Sequence, residues 1–235
     1  MNPLLFIQED ITRVMETADV LSTQPAEVEM NILELATKGG WIMIPIVLLL
    51  FIAMAVFIER VLVINKAAKE DDTFMARIND YIHEGNIKSA EKLCQTTETP
   101  YSRMIMKGIQ RLGRPMNDIL VAIENVGNIE VAKLEKGFAW IATAAAGAPM
   151  LGFLGTVTGM VRAFFDMANA GNNVDITLLS SGIYEALVTT VAGLIVGIIA
   201  LFAYNFLVAR VDNVITKMET KTMDFMDLLN EPTKG

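Results

Sequence analysis

One residue stands out as a place where chemistry could happen. Glu185 is the only charged side chain in three long apolar runs, 41–58, 138–161 and 176–209. A carboxylate inside a membrane-length apolar run costs several kcal/mol, so it is tolerated mainly where it faces a polar partner or water. Hydroxyls accompany it. Thr156 and Thr158 lie in the second run, and Thr189 and Thr190 lie in the third, one helical turn beyond Glu185. Thr156 falls ten residues before Asp166 and Glu185 ten after Asp175. If both arms are helical, each sits ~15 Å from its Asp. An antiparallel hairpin would then bring Thr156 and Glu185 to similar depth inside the hydrocarbon, where backbone and side-chain polar groups need internal partners.

The same two runs carry small residues at helical spacing. Gly152, Gly155 and Gly159 are in the second run, and Gly193 and Gly197 are in the third. Gly-x-x-x-Gly pairs let helix backbones approach closely in lipid, so these glycines read as packing positions. Other chemistries fit poorly. His83 and Cys94 are each the only one of their kind, too few for a metal site, a Cys–His dyad or a disulfide. An intramembrane protease needs a Ser–His pair or paired aspartates inside its spans, and the three runs hold no His or Asp. No catalytic residue, metal or cofactor is expected.

The elements that must hold these residues follow from composition. The chain has 235 residues, 53% of them hydrophobic, yet 20% are charged. Both figures fit if the charges are segregated from three runs near the ~20 residues a membrane crossing requires. Runs apolar on every face would need a far larger protein around them to be soluble cores. An all-α membrane protein with three transmembrane helices is predicted. Residues 1–40 hold two Lys or Arg and residues 59–137 hold twelve; the 166–175 connection holds none and the tail from Arg210 holds four. Basic residues near span ends resist translocation, which places 59–137 and 210–235 in the cytoplasm and the amino terminus outside. The start lacks a basic n-region, so no cleavable signal peptide is expected.

Five segments result: 1–37 external, 38–58 the first span, 59–137 cytoplasmic, 138–209 a hairpin of the second and third spans, and 210–235 a cytoplasmic helix and tail. In the first, Leu4, Ile7, Ile11, Val14, Ala18 and Leu21 recur at steps of three and four, one face of an amphipathic helix. In the third, the first span is expected to continue as helix through 59–82 to a turn at 84–86. Short helices over 87–94 and 103–112 follow, and a helix over 115–136 leads straight into the second span. Two of the membrane helices would thus extend into a cytoplasmic helical bundle.

The run Gly152-Phe153-Leu154-Gly155-Thr156-Val157-Thr158-Gly159-Met160, followed by Gly182-Ile183-Tyr184-Glu185-Ala186-Leu187-Val188-Thr189-Thr190, resembles the paired signature of the MotA/TolQ/ExbB proton channels. Gly39-Gly40-Trp41-Ile42-Met43-Ile44-Pro45, Glu59-Arg60 and Ala203-Tyr204-Asn205 are similar to ExbB proteins in particular. The resemblance implies a homopentamer in the bacterial inner membrane whose second and third spans line a pore threaded by a dimer of a single-span ExbD-like protein. It further implies that proton flow does mechanical work on a TonB-like protein for outer-membrane uptake. Thr156, Glu185 and Thr190 fall on the family's polar pore positions, and Thr189 adds a hydroxyl beside them. Membrane lipids are the other expected partner, and no nucleic acid is. A TolQ-like or gliding-type stator and a passive scaffold are the alternatives.

Overall fold

A computed structural model describes residues 40–69, 71, 73–169 and 176–230. The amphipathic segment expected over 1–37 lies outside the described residues, as do most of the 166–175 connection and the last five residues. Among the described residues the chain is all-α: α1 (Met43–Ala67), α2 (Phe74–His83), α3 (Ile87–Thr97), α4 (Pro100–Ile109), α5 (Met116–Leu134), α6 (Phe138–Asn169) and α7 (Ile176–Asn230). Helices α1, α6 and α7 are long and apolar enough to cross a membrane. At 55 residues, α7 is ~80 Å long against a hydrocarbon layer of ~30 Å. More than half of it must therefore stand outside the bilayer.

Two membrane helices do run on into the helical bundle, and they are α1 and α7. The expected continuity from α5 into α6 fails. Helix α5 stops at Leu134, and Gly137 takes φ +91°, a conformation that costs an L-residue with a side chain roughly 1–2 kcal/mol. Residues 135–137 thus form a corner. The helix predicted through 59–82 is also interrupted: α1 ends at Ala67 and α2 starts at Phe74. The two short helices are shifted from the expected 87–94 and 103–112. Helix α3 runs three residues further, and α4 begins earlier because Thr99 and Ser102 form a reciprocal cap. The Thr99 hydroxyl accepts from the Ser102 N–H at 3.3 Å, and the Ser102 hydroxyl accepts from the Thr99 N–H at 3.1 Å. Pro100 fills the first turn, where its missing N–H is not needed.

The short helices pack on the protruding half of α7. Leu207, Val211, Val214, Met218 and Phe225 are buried and recur at steps of four, three, four and seven, a single stripe along that helix. Phe74, Ile78, Ile105 and Ile123 close over it, with Phe74 meeting Tyr101 edge-on at 5.2 Å. Cys94 lies in this core, and burial, reinforced by the charge of Glu91, pushes its thiol up to about 12. It stays an unreactive thiol at neutral pH.

A charged cluster ties the bundle to the foot of α1. Glu130 is buried yet accepts from Arg103 at 2.5 Å and from Lys133 at 2.7 Å. Burial alone would raise its pKa, but those two hydrogen bonds and charges outweigh it and hold the carboxyl below its ordinary value. Arg60 donates to the Lys133 carbonyl at 3.0 Å and pairs with Glu59. That carbonyl belongs to the last turn of α5, where carbonyls lack helical partners.

Candidate functional site

The site is built on the packing of α6 against α7, and glycine sets how closely they approach. A Cβ at Gly152 would stand 2.9 Å from the Thr189 carbonyl and 3.0 Å from the Thr190 Cα. At Gly159 it would meet the Ala186 Cβ at 3.0 Å. A side chain at Gly155 would overlap that of Thr189, and one at Gly193 would overlap the Ala148 carbonyl. Gly197 makes room for the ring of Pro149, whose Cγ would lie 2.5 Å from an added Cβ. All five glycines singled out in the sequence lie where the two helices touch.

Beside this seam is a cavity of about 200 Å³, lined by Gly155, Thr158, Gly159 and Arg162 of α6, Glu185 and Thr189 of α7, and Trp41 and Ile42 just before α1. Both later spans and the turn leading into α1 contribute to it. Glu185 is half-buried, and the turn before α1 presses on it. Gly40 has φ +65°, and a Cβ there would collide with a Glu185 carboxylate oxygen. The Met43 N–H closes that turn on the Gly40 carbonyl at 3.3 Å.

The hydroxyl protons nearby are already committed. Thr158 donates to the Leu154 carbonyl at 2.8 Å and Thr189 to that of Ala186 at 2.7 Å. Toward the cavity these oxygens offer lone pairs only. Thr156 donates to the Phe153 carbonyl at 2.6 Å and lies outside the cavity wall. Thr190 is also outside it. Its hydroxyl crosses to α6 and donates to the Gly152 carbonyl at 2.9 Å, so it bridges the two spans.

Two features differ from expectation. Arg162 and Thr158 share the cavity with Glu185, whereas the sequence argument paired Glu185 with Thr156. The signal was available: Gly155, Thr158, Gly159 and Arg162 are separated by three, one and three residues, which is one helical face. Depth also differs. The start of α1 sits against Glu185, so with 43–58 as the ruler the carboxylate stands where the first span begins. That position is level with the end of the first apolar helix, away from its middle.

Comparison with known proteins agrees with the motifs. The chain is 30% identical over 174 residues to an ExbB-like biopolymer transport protein of Synechocystis sp., covering 73% of this chain and 68% of that one. It is 32% identical over 167 residues to the biopolymer transport protein ExbB of Neisseria gonorrhoeae, covering 69% and 73%. To the Tol-Pal system protein TolQ of Haemophilus influenzae it is 27% identical over 199 residues, covering 78% and 87%. Residues 96–220, from α3 through the corner and both later spans to the protruding half of α7, match the family profile, and the chain therefore belongs to the MotA/TolQ/ExbB proton channel family.

Proposed function

We propose that this chain is the pore-lining subunit of an ExbB-type stator in the bacterial inner membrane. Copies assemble as a homopentamer around the membrane segments of an ExbD-like dimer. Proton flow drives relative motion of the two, and the work passes to a TonB-like protein for outer-membrane uptake. The amino terminus and the 166–175 connection face the periplasm, and residues 59–137 and 210–235 face the cytoplasm. The chain itself makes and breaks no covalent bonds. Each charge crossing the membrane is worth ~2.3 kcal/mol per 100 mV, so several crossings per event supply substantial work.

The observation that carries this reading is the Glu185 cavity, walled by both later spans, in a chain of this family. Glu185 and Arg162 make the mouth of the cavity strongly polar, so it holds water. The Thr158 and Thr189 oxygens accept hydrogen bonds from that water. Further along the spans, 138–161 and 186–209 contain no ionisable side chain other than Tyr204. A relay across the membrane needs carriers at more than one depth, so the carrier beyond the mouth comes from the partner. Liposomes containing this chain alone are expected to show no gradient-driven proton flux, and liposomes with the ExbD-like partner are expected to show it. Robust flux from the chain alone would overturn the partner requirement.

The Gly40 contact makes a finer test. Gly40→Ala is expected to depress partner-dependent flux by displacing the Glu185 carboxylate. Combining it with Glu185→Asp, whose shorter side chain withdraws the oxygen, should remove most of the additional loss. Neighbouring pairs of this kind show non-additivity of about 0.5–3 kcal/mol. Gly40→Asn separates the clash from backbone strain, because Asn tolerates positive φ but still carries a Cβ. Full flux in Gly40→Asn would show that the contact does not position Glu185.

A TolQ-type output is the second reading, favoured by the match that spans 87% of the Haemophilus protein. Complementation distinguishes the two. Rescue of TonB-dependent uptake supports the first, and rescue of outer-membrane integrity in a strain lacking TolQ supports the second.

A further inference from the structure

About five turns further along α7 from Glu185, a groove of about 290 Å³ runs between α1 and α7, lined wholly by apolar residues. Ala53 and Ala200 are buried along it, and Ala203 is half-buried. Met54, Phe202 and Phe206 stand exposed at its sides. Along α1 it extends from Leu50 to Phe57, ~10 Å of helix. It ends where Phe57 and Phe206 meet at 6.1 Å between ring centres.

We propose that this groove binds one acyl chain of an anionic phospholipid, whose phosphate is held by Arg210. The lining offers no hydrogen-bond partner and lies within two apolar spans, so its occupant is a hydrocarbon chain. Charge at one end sets the headgroup. Arg210 is exposed, one turn beyond Phe206, and its guanidinium lies over the Phe206 ring at 5.2 Å from the centre. Among the described residues no carboxylate pairs with it. Arg210 is the open charge at that end, because Arg60, one turn beyond Phe57, is buried and already paired with Glu59 and the Lys133 carbonyl. A guanidinium matches a phosphodiester in a forked, charge-assisted geometry, and basic sites between spans favour anionic lipids. A second copy of this chain in the groove would have to supply both an apolar ridge and a carboxylate for Arg210.

The test uses the full-length complex, purified from vesicles of equal parts palmitoyl-oleoyl phosphatidylglycerol and phosphatidylethanolamine, with retained lipid read by native mass spectrometry. Phosphatidylglycerol is expected to be enriched about fivefold, the preference that one well-placed basic group confers. Arg210→Gln should return the ratio to that of the vesicles without changing the mass of the assembly. Ala203→Phe, which fills the groove, should lower total retained lipid. A photoreactive residue at position 202 should cross-link to lipid. Equal retention of the two lipids by the wild type would overturn the proposal. So would enrichment that survives Arg210→Gln, or a position-202 cross-link to another copy of the chain.

Discussion

Glu185→Ala is expected to abolish TonB-dependent uptake while the assembled complex remains intact. The side chain is half-buried at the edge of a cavity and contributes nothing to the glycine contacts that hold α6 to α7. Its removal enlarges that cavity and leaves Arg162 as the only charge on the wall. A cation approaching along that wall then meets net repulsion at the mouth, and opposing charge at close quarters is what selects ions in narrow pores. Glu185→Gln leaves Arg162 equally unopposed but keeps the shape and an oxygen that orders water in the cavity, so it should be impaired yet retain part of the activity. Siderophore uptake measured beside native mass spectrometry separates loss of function from loss of assembly. Wild-type uptake in Glu185→Ala would restore the packing interpretation.

Gly193→Leu is expected to have the largest structural effect, with Gly155→Leu close behind. At Gly193 the obstacle is the backbone carbonyl of Ala148, which cannot rotate away as a side chain can. At Gly155 the obstacle is the side chain of Thr189, held by its bond to the Ala186 carbonyl. Inserting bulk into a packed seam costs about 1–3 kcal/mol, more where backbone must move. The Thr190 to Gly152 bond that crosses the same seam would be lost as the helices part. Thermal unfolding in detergent and the oligomer mass should both register it. An unchanged oligomer with full activity would make these glycines incidental.

Much of this architecture was legible in the sequence because the relevant signals are local. Segregated charge located the three spans, and the Gly155/Gly159 and Gly193/Gly197 pairs marked the faces of α6 and α7 that touch. The turn at 84–86 was legible too, since Asn86 caps α3 by accepting from the Ser89 N–H at 3.3 Å. The register between the arms was harder to read. Counting inward from Asp166 and Asp175 placed Glu185 opposite Thr156. The small residues instead interlock as Gly159 with Ala186 and Ala163 with Gly182, which sets Glu185 opposite Thr158 and Gly159. Connection length fixes no register; steric fit does. The corner at Gly137 was hidden for a different reason. A glycine between Lys136 and an apolar run is compatible with a continuous helix, and only its positive φ reveals the break. Gly40 was read only as part of a motif, because its contact with Glu185, which is 145 positions away, leaves no mark in the residues around it.

The most direct measurement is proton flux into liposomes that hold the complex assembled with its ExbD-like partner, under an imposed pH gradient and membrane potential. Flux through the wild-type complex is expected to fall to the level of empty liposomes in Glu185→Ala, at equal protein content and unchanged oligomer mass. Undiminished flux through the Glu185→Ala complex would contradict the assignment of this cavity to the ion path.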